Sequence, residues 1–188
     1  MINVGIIGCG TVMNRYVDIF QNESLEGVKV LAVCDISEKL VLKRSKELNA
    51  APYNNIHDMF AEEHIDLTII LTSSGMHYEH TKIALNYGSH TLTEKPIALR
   101  LTHAEELYNI ANKKSLMAGV VFQNRYNKAI KFLSNSLSKN LFGKKVLSSI
   151  RVIWCRYPDY YENSWHGTWK MDGGVIAQQA IHHLDILQ

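Results

Sequence analysis

The sequence predicts an α/β fold, a doubly wound parallel sheet followed by the start of a second, open-sheet α/β domain. Three observations carry that prediction. The chain opens on a short apolar, β-branched run (Ile2, Val4, Ile6, Ile7) that stops at Gly8 and gives way to helical spacing at Val12, Met13, Tyr16, Val17, Ile19 and Phe20. Apolar runs of strand length then alternate with helical stretches as far as residue 122, the order of successive βαβ units. Beyond residue 122 the texture changes to one amphipathic helix, one long alternating run and an aromatic loop.

Composition bounds the reading before any motif does. The 188 residues suffice for one domain and part of another. A hydrophobic content of 46% with 20% charged residues belongs to a soluble globular chain. The net charge of +2, spread without runs, leaves no footprint for nucleic acid or an acidic membrane surface. No apolar stretch reaches the length of a membrane span, and the N-terminus reads as a core strand rather than a signal peptide, so a cytoplasmic protein is expected. Cys9, Cys34 and Cys155 lack paired spacing and are expected to be buried small residues, with neither a disulfide nor a metal.

The first turn carries the first chemistry. Gly8 permits a tight turn and Gly10 lets the backbone approach a ligand. Thr11, Val12 and Met13 then open a helix whose N–H groups suit a pyrophosphate. The third glycine of the dinucleotide pattern is replaced by Met13, and an ordinary glycine turn fits the same pair. Residues 28–35 (VKVLAVCD) form a second strand ending in Asp35, roughly two dozen residues past the glycines and close to where a carboxylate grips the adenosine ribose. A helix-capping role before Ser37 is the alternative. A carboxylate there repels a 2′-phosphate, favouring NAD over NADP, and Arg44 lies too far along the next helix to receive that phosphate.

A helix is expected over 37–48, a break at Pro52, a short helix over 56–62 and a third strand over 67–71. Thr72, Ser73, Ser74 and Gly75 then form a loop at the carboxyl edge of the sheet, where ligands bind. His77 opens the next helix, 77–87, either lining the site or capping. A strand over 91–93 leads into Glu94-Lys95-Pro96, and a helix over 102–114 and a strand over 116–122 close the domain. Residues 126–137 read as an amphipathic helix and 146–155 (VLSSIRVIWC) as a long alternating strand. The loop over 157–170 holds Tyr160, Tyr161, Trp165, His166 and Trp169, which either stack on a base or sugar or plug a core. A last helix is expected over 175–187. Domains are expected at 1–122 and 123–188.

The glycine turn, Asp35, Glu94-Lys95-Pro96 and the terminal GGVIAQQAIHHLD together resemble the Gfo/Idh/MocA oxidoreductases. The resemblance implies an NAD-binding Rossmann domain and a second α/β domain whose open sheet builds a homo-oligomer. It also implies hydride transfer between NAD(P) and a hydroxyl-bearing carbon of a small-molecule sugar, nucleotide sugar or cyclitol. It places Glu94 and Lys95 beside the nicotinamide, with Lys95 at the reacting hydroxyl and a cis Lys95–Pro96 bond. His182 matches the family's catalytic histidine and Asp185 the later acid, whereas Gln178 stands where an aspartate is usual and cannot exchange a proton. His182 is then the base and Lys95 its electrostatic partner or relay. Arg125 resembles a substrate-facing position, a structural salt bridge being the alternative, and Trp169 joins the substrate set.

VIWCRYPDYY, SWHGTW, DGG and the non-acidic residue before His182-His183 look most like the branch that oxidises C3 of UDP-N-acetylglucosamine or its uronate. Cyclitol or free-sugar dehydrogenation is the enzymatic alternative. Family members carry further strands after the His182 helix, so a dinucleotide-binding module without turnover is the other expectation.

Overall fold

A computed structural model describes residues 1–23, 25–162 and 165–188, which form two compact units, Met1–Val120 and Val121–Gln188. The first unit runs β1 (Ile2–Ile7), α1 (Met13–Asn22), β2 (Val28–Cys34), α2 (Glu38–Leu48), β3 (Ala51–Tyr53), α3 (Ile56–Glu62), β4 (Leu67–Ile70), α4 (His77–Asn86), β5 (His90–Thr93), α5 (Leu101–Lys113) and β6 (Ala118–Val120). Its strands lie in the order β3-β2-β1-β4-β5-β6, every pairing parallel. The order reverses between β1 and β4, so their carboxyl ends flank the crevice where a doubly wound sheet takes its ligand.

Alternation along the strands sends side chains to both faces, and helices cover each. Val4 and Ile6 of β1 pack with Met13 and Val17 of α1 and Val41 of α2. Ile7 joins Ala32, Cys34 and Ile70 under Met59 of α3. The ladder with β2 passes from Val4↔Val30 to Gly5↔Ala32, skipping Leu31. That irregularity lets Val30 and Val33 share one face while Ala32 and Cys34 take the other. Each such side chain, fully buried, stabilises the unit by roughly 1.5–3 kcal/mol.

Several expectations need correction. Pro52 does not simply break the chain: it sits inside β3, an edge strand, where its missing N–H can face the open side of the sheet. The strand expected over 116–122 contracts to Ala118–Val120.

The second unit holds a 3-10 turn at Gln123–Tyr126, α6 (Lys128–Ser138), α7 (Pro158–Glu162), a π-helical turn at Ile176–Ala180 and α8 (Ile181–Leu187). The strand expected over 146–155 is not formed, and Val146, Leu147 and Ile153 are exposed. Alternation makes a segment able to pair, but a strand exists only with a neighbour to accept and donate its backbone hydrogen bonds. The aromatic stretch 157–170 contains α7; residues 163 and 164 lie outside the described set. The helix expected over 175–187 is interrupted near its start by the π turn at Ile176–Ala180.

Cys9 and Cys34 are buried free thiols, as expected, and Cys155 is exposed, which the sequence did not anticipate. Burial, reinforced by the Asp35 carboxylate, pushes both buried thiols up to about 12, so they stay neutral. Among the described residues no helix is long and apolar enough to cross a membrane.

Candidate functional site

Parallel strands bring the sequence-predicted residues of the first unit to one edge. Gly8 and Gly10 follow β1, Asp35 follows β2, Thr72 and Ser73 follow β4, and Glu94 and Lys95 follow β5. Backbone hydrogen bonds extend the ladder past the strand ends and fix this edge. Gly8 donates to the Cys34 carbonyl at 2.8 Å, Leu71 to Ile7 at 2.8 Å and Glu94 to Ile70 at 3.0 Å.

The glycine turn shows why each glycine is there. Gly8 has φ +102°, and a Cβ on it would lie 2.7 Å from the Leu71 carbonyl carbon and the Thr72 nitrogen. A Cβ on Gly10 would meet nothing within 4 Å. Gly8 is therefore demanded by the fold, whereas the space beside Gly10 is open to a ligand that approaches the backbone. The amides of Met13, Asn14 and Arg15 turn back on the carbonyls of Gly10, Thr11 and Val12 at 3.2 Å each, which starts α1 and points the preceding amides off its end. Met13, in place of a third glycine, is fully buried in the core under α1.

Asp35 takes up the structural role that its position offered. One carboxylate oxygen accepts the Cys9 amide at 2.7 Å and the other the Ser37 amide at 2.9 Å. The carboxylate thus ties the glycine turn to β2 and braces Ser37, the residue that leads into α2. It stays only partly buried at the strand end, where a ribose diol can reach it.

The loop after β4 and the loop after β5 are joined by His77. Its ring, 1% exposed, places Nδ1 2.7 Å from the Pro96 carbonyl and Nε2 2.8 Å from the Thr72 carbonyl. Carbonyls only accept, so both contacts are hydrogen bonds in the imidazolium form alone. Burial lowers the pKa of His77, while the two carbonyls oppose that shift. His77 thus holds two loops together instead of turning its ring toward a ligand. The Lys95–Pro96 peptide bond is cis. Glu94 accepts from the Tyr16 hydroxyl at 3.5 Å and from the Lys95 amide at 3.3 Å.

Sequence reasoning passed over Tyr16 and His80 at this edge and weighed Arg44 only as a receptor for a 2′-phosphate. Tyr16 faces Glu94; burial and that carboxylate raise its pKa. His80 shares a hydrogen bond with the Thr72 hydroxyl at 3.0 Å, and burial together with His77 lowers its pKa to about 4, so it is neutral. Arg44 is 4% exposed and reaches the glycine turn. It follows Val41 by three residues on the inner side of α2, and a cation on an apolar stripe was the available signal.

In the second unit, Gln178 (8% exposed) and His182 (5% exposed) are both buried. Gln178 lies in the π-helical turn and His182 in α8, so a widened turn rather than a regular α-helical one separates them. The Phe122 ring meets His182 edge-on at 6.0 Å. Arg125 is paired with Asp185, Nε at 2.7 Å and Nη2 to the other oxygen, and the guanidinium holds that carboxyl below its usual range. The salt-bridge reading of Arg125 is the one this geometry carries. His166 stacks on Tyr160 with centroids 4.1 Å apart and meets Trp165 tilted at 3.8 Å, while Trp169 is 84% exposed. Among the described residues no three His, Cys, Asp or Glu side chains are grouped to hold a metal.

Comparison with known proteins extends the geometry. Residues 2–122 match the sequence pattern of the Gfo/Idh/MocA family, described as an oxidoreductase family with an NAD-binding Rossmann fold. The structure is similar to the WlbA dehydrogenase from Bordetella pertussis in complex with NADH and UDP-GlcNAcA, with TM-score 0.95, 26% identity, all of this chain and 58% of that one. It is equally similar to the WlbA dehydrogenase from Chromobacterium violaceum in complex with the same two molecules, with TM-score 0.95, 30% identity, 99% of this chain and 54% of that one. Inositol 2-dehydrogenase of Salmonella typhimurium is 26% identical over 189 aligned residues, 99% of this chain and 53% of that protein. The chain spans about half the length of the relatives it matches.

Proposed function

The chain belongs to the Gfo/Idh/MocA oxidoreductase family and carries its NAD-binding Rossmann domain, and from this we propose that the whole protein oxidises a secondary hydroxyl of a nucleotide sugar. The substrate is C3 of a UDP-N-acetylhexosamine or its uronate, with NAD as hydride acceptor. The observation that carries this reading is the likeness to the two WlbA structures, which runs through the second unit at TM-score 0.95. A myo-inositol 2-dehydrogenase from Lactobacillus plantarum, at TM-score 0.82 and 20% identity, shares the fold alone.

The residues at the carboxyl edge fit a dinucleotide: open space beside Gly10, amides at the start of α1 for the pyrophosphate and Asp35 at the strand end for the ribose. NAD, when bound, supplies the acceptor for the hydride. The chain's residues supply the rest. Lys95 stabilises the negative charge that grows on the substrate oxygen, and His182 takes the hydroxyl proton as the C–H hydrogen leaves with its electron pair and the carbon becomes a ketone. Gln178 donates or accepts a hydrogen bond at the sugar without exchanging a proton, and Trp169 lies along the substrate. Thr72, Ser73 and Glu94 border the cofactor, with His77 behind them. This chemistry needs no metal.

The test follows NADH formation by the full-length gene product. UDP-GlcNAcA is expected to exceed myo-inositol in kcat/KM by at least about a hundredfold, a difference of ~2.8 kcal/mol. Preference for myo-inositol or another cyclitol would overturn the substrate assignment, and NAD binding without turnover of either would leave a binding module.

Replacement of Asp35 separates its two jobs. Asp35→Ala is expected to weaken NAD binding by about tenfold or more, and also to lower stability by ~1–3 kcal/mol because the Cys9 and Ser37 amides lose their acceptor. Asp35→Asn keeps one acceptor oxygen and is expected to recover stability ahead of affinity. Unchanged NAD affinity in a folded Asp35→Ala protein would remove Asp35 from the ribose site.

A further inference from the structure

We propose that Arg44 is a positioning residue for the cofactor pyrophosphate, clamping the glycine turn from beneath so that its amides face the phosphates. The proposal rests on the glycine turn being the pyrophosphate site. Arg44 rises from the inner side of α2, its side chain 5% exposed, with Nε and Nη2 turned to the glycine turn. Nε donates to the Cys9 carbonyl at 3.3 Å and Nη2 to the Gly10 carbonyl at 3.3 Å. Nη2 also reaches Asn14 Oδ1 on α1 at 2.6 Å, and Nη1 pairs with Glu47 at 2.7 Å.

The consequence follows from peptide geometry. In a planar trans peptide the C=O of one residue and the N–H of the next point in opposite directions. Drawing the Cys9 carbonyl toward Arg44 therefore turns the Gly10 N–H away from it, and drawing the Gly10 carbonyl inward does the same to the Thr11 N–H. The Cys9 N–H is already taken by Asp35. Arg44 thus fixes the two peptides whose donors point outward at the start of α1, on the side where Gly10 leaves open space.

Charge adds to geometry. An arginine stays cationic when buried, and its planar fork spans several acceptors that a lysine ammonium cannot reach together. Glu47 offsets part of that charge, but Glu47 lies on the far side of the fork from the two turn carbonyls in the bonding pattern, on Nη1. Asp35 contributes negative charge at the same turn, and the guanidinium opposes it where an anionic pyrophosphate must sit. The inward fork also explains why Arg44 is not a receptor for a 2′-phosphate.

The test uses titrations of the 188-residue chain with NAD, NADP, ADP and adenosine, the last bearing no phosphate. Arg44→Met is expected to weaken NAD and ADP by about ten- to a hundredfold while adenosine, measured by competition, changes less than about twofold. The ratio of NADP to NAD affinity is expected to stay constant. Loss of adenosine in the same proportion as NAD would overturn the proposal in favour of a general structural role. So would NAD affinity within about twofold of the unsubstituted chain, or a selective change in NADP. Should Arg44→Met not fold, Arg44→Lys keeps the charge without the fork, and the same split between phosphate-bearing and phosphate-free ligands is expected. If the unsubstituted chain binds neither NAD nor ADP, the pyrophosphate reading itself falls and this proposal with it.

Discussion

Gly8→Ala is expected to destabilise the first unit by more than about 3 kcal/mol and to abolish NAD binding, whereas Gly10→Ala leaves stability unchanged and weakens NAD by about tenfold or more. The two glycines are two residues apart and fail for different reasons. At Gly8 the backbone has φ +102°, a region that an alanine adopts only under strain. The new methyl would also lie 2.7 Å from main-chain atoms of Leu71 and Thr72. Those atoms lie just past the end of β4, held by the Leu71 amide on Ile7, and have no side-chain freedom with which to yield. Relief requires parting β1 from β4 at the crevice itself. A domain is stable by only about 5–15 kcal/mol in total, so a loss of this size is large. At Gly10 the methyl meets no protein atom, and its only cost is to whatever approaches the backbone. Thermal unfolding with and without NAD, for both variants, reads the contrast. A folded Gly8→Ala protein that binds NAD normally would refute the packing argument, and a Gly10→Ala protein with full affinity would remove the close approach.

The contrast also marks what the sequence made legible. β1, β2 and β4 were readable because strands buried on both faces are continuous apolar runs, and VKVLAVC admits little else. β3 was not, because three residues with a proline at their centre carry no periodicity, and only its place at the sheet edge makes Pro52 acceptable. Residues 146–155 failed in the opposite direction: the alternation is real, but pairing is a property of two segments and the pattern describes one. The π turn ahead of α8 has no signature in AQQAIHH that a helix would lack.

At the site, Gly8 and Asp35 were singled out by residue type and spacing, and Lys95 by the resemblance of Glu94-Lys95-Pro96 to the family. Arg44 and His77 act on the carbonyls of Cys9, Gly10, Thr72 and Pro96. Every residue has a carbonyl, so no sequence pattern announces such partners. Asp35 shows a subtler limit. Ribose ligand and helix cap were posed as alternatives, yet a carboxylate with two oxygens accepts the Cys9 and Ser37 amides and retains lone pairs for a diol.

Lys95→Ala is expected to lower kcat by about 10³–10⁴ in the full-length gene product while leaving NAD affinity within about threefold. The loop is held on either side of Lys95 by main-chain atoms that alanine leaves in place: the Glu94 amide on Ile70 and the Pro96 carbonyl on His77. Lys95 itself is partly exposed. A charge that grows on the substrate oxygen only as the proton leaves is stabilised in the transition state and not before, so kcat and kcat/KM should fall together with KM little changed. Lys95→Arg then separates the two roles open to the lysine. An arginine keeps the positive charge but does not release a proton near neutral pH. Partial recovery in Lys95→Arg assigns Lys95 to electrostatic stabilisation, with His182 taking the proton directly. Activity as low as in Lys95→Ala assigns it to a relay. Near-normal turnover in Lys95→Ala would withdraw Lys95 from catalysis and leave His182 to account for the proton without a cation at the alkoxide.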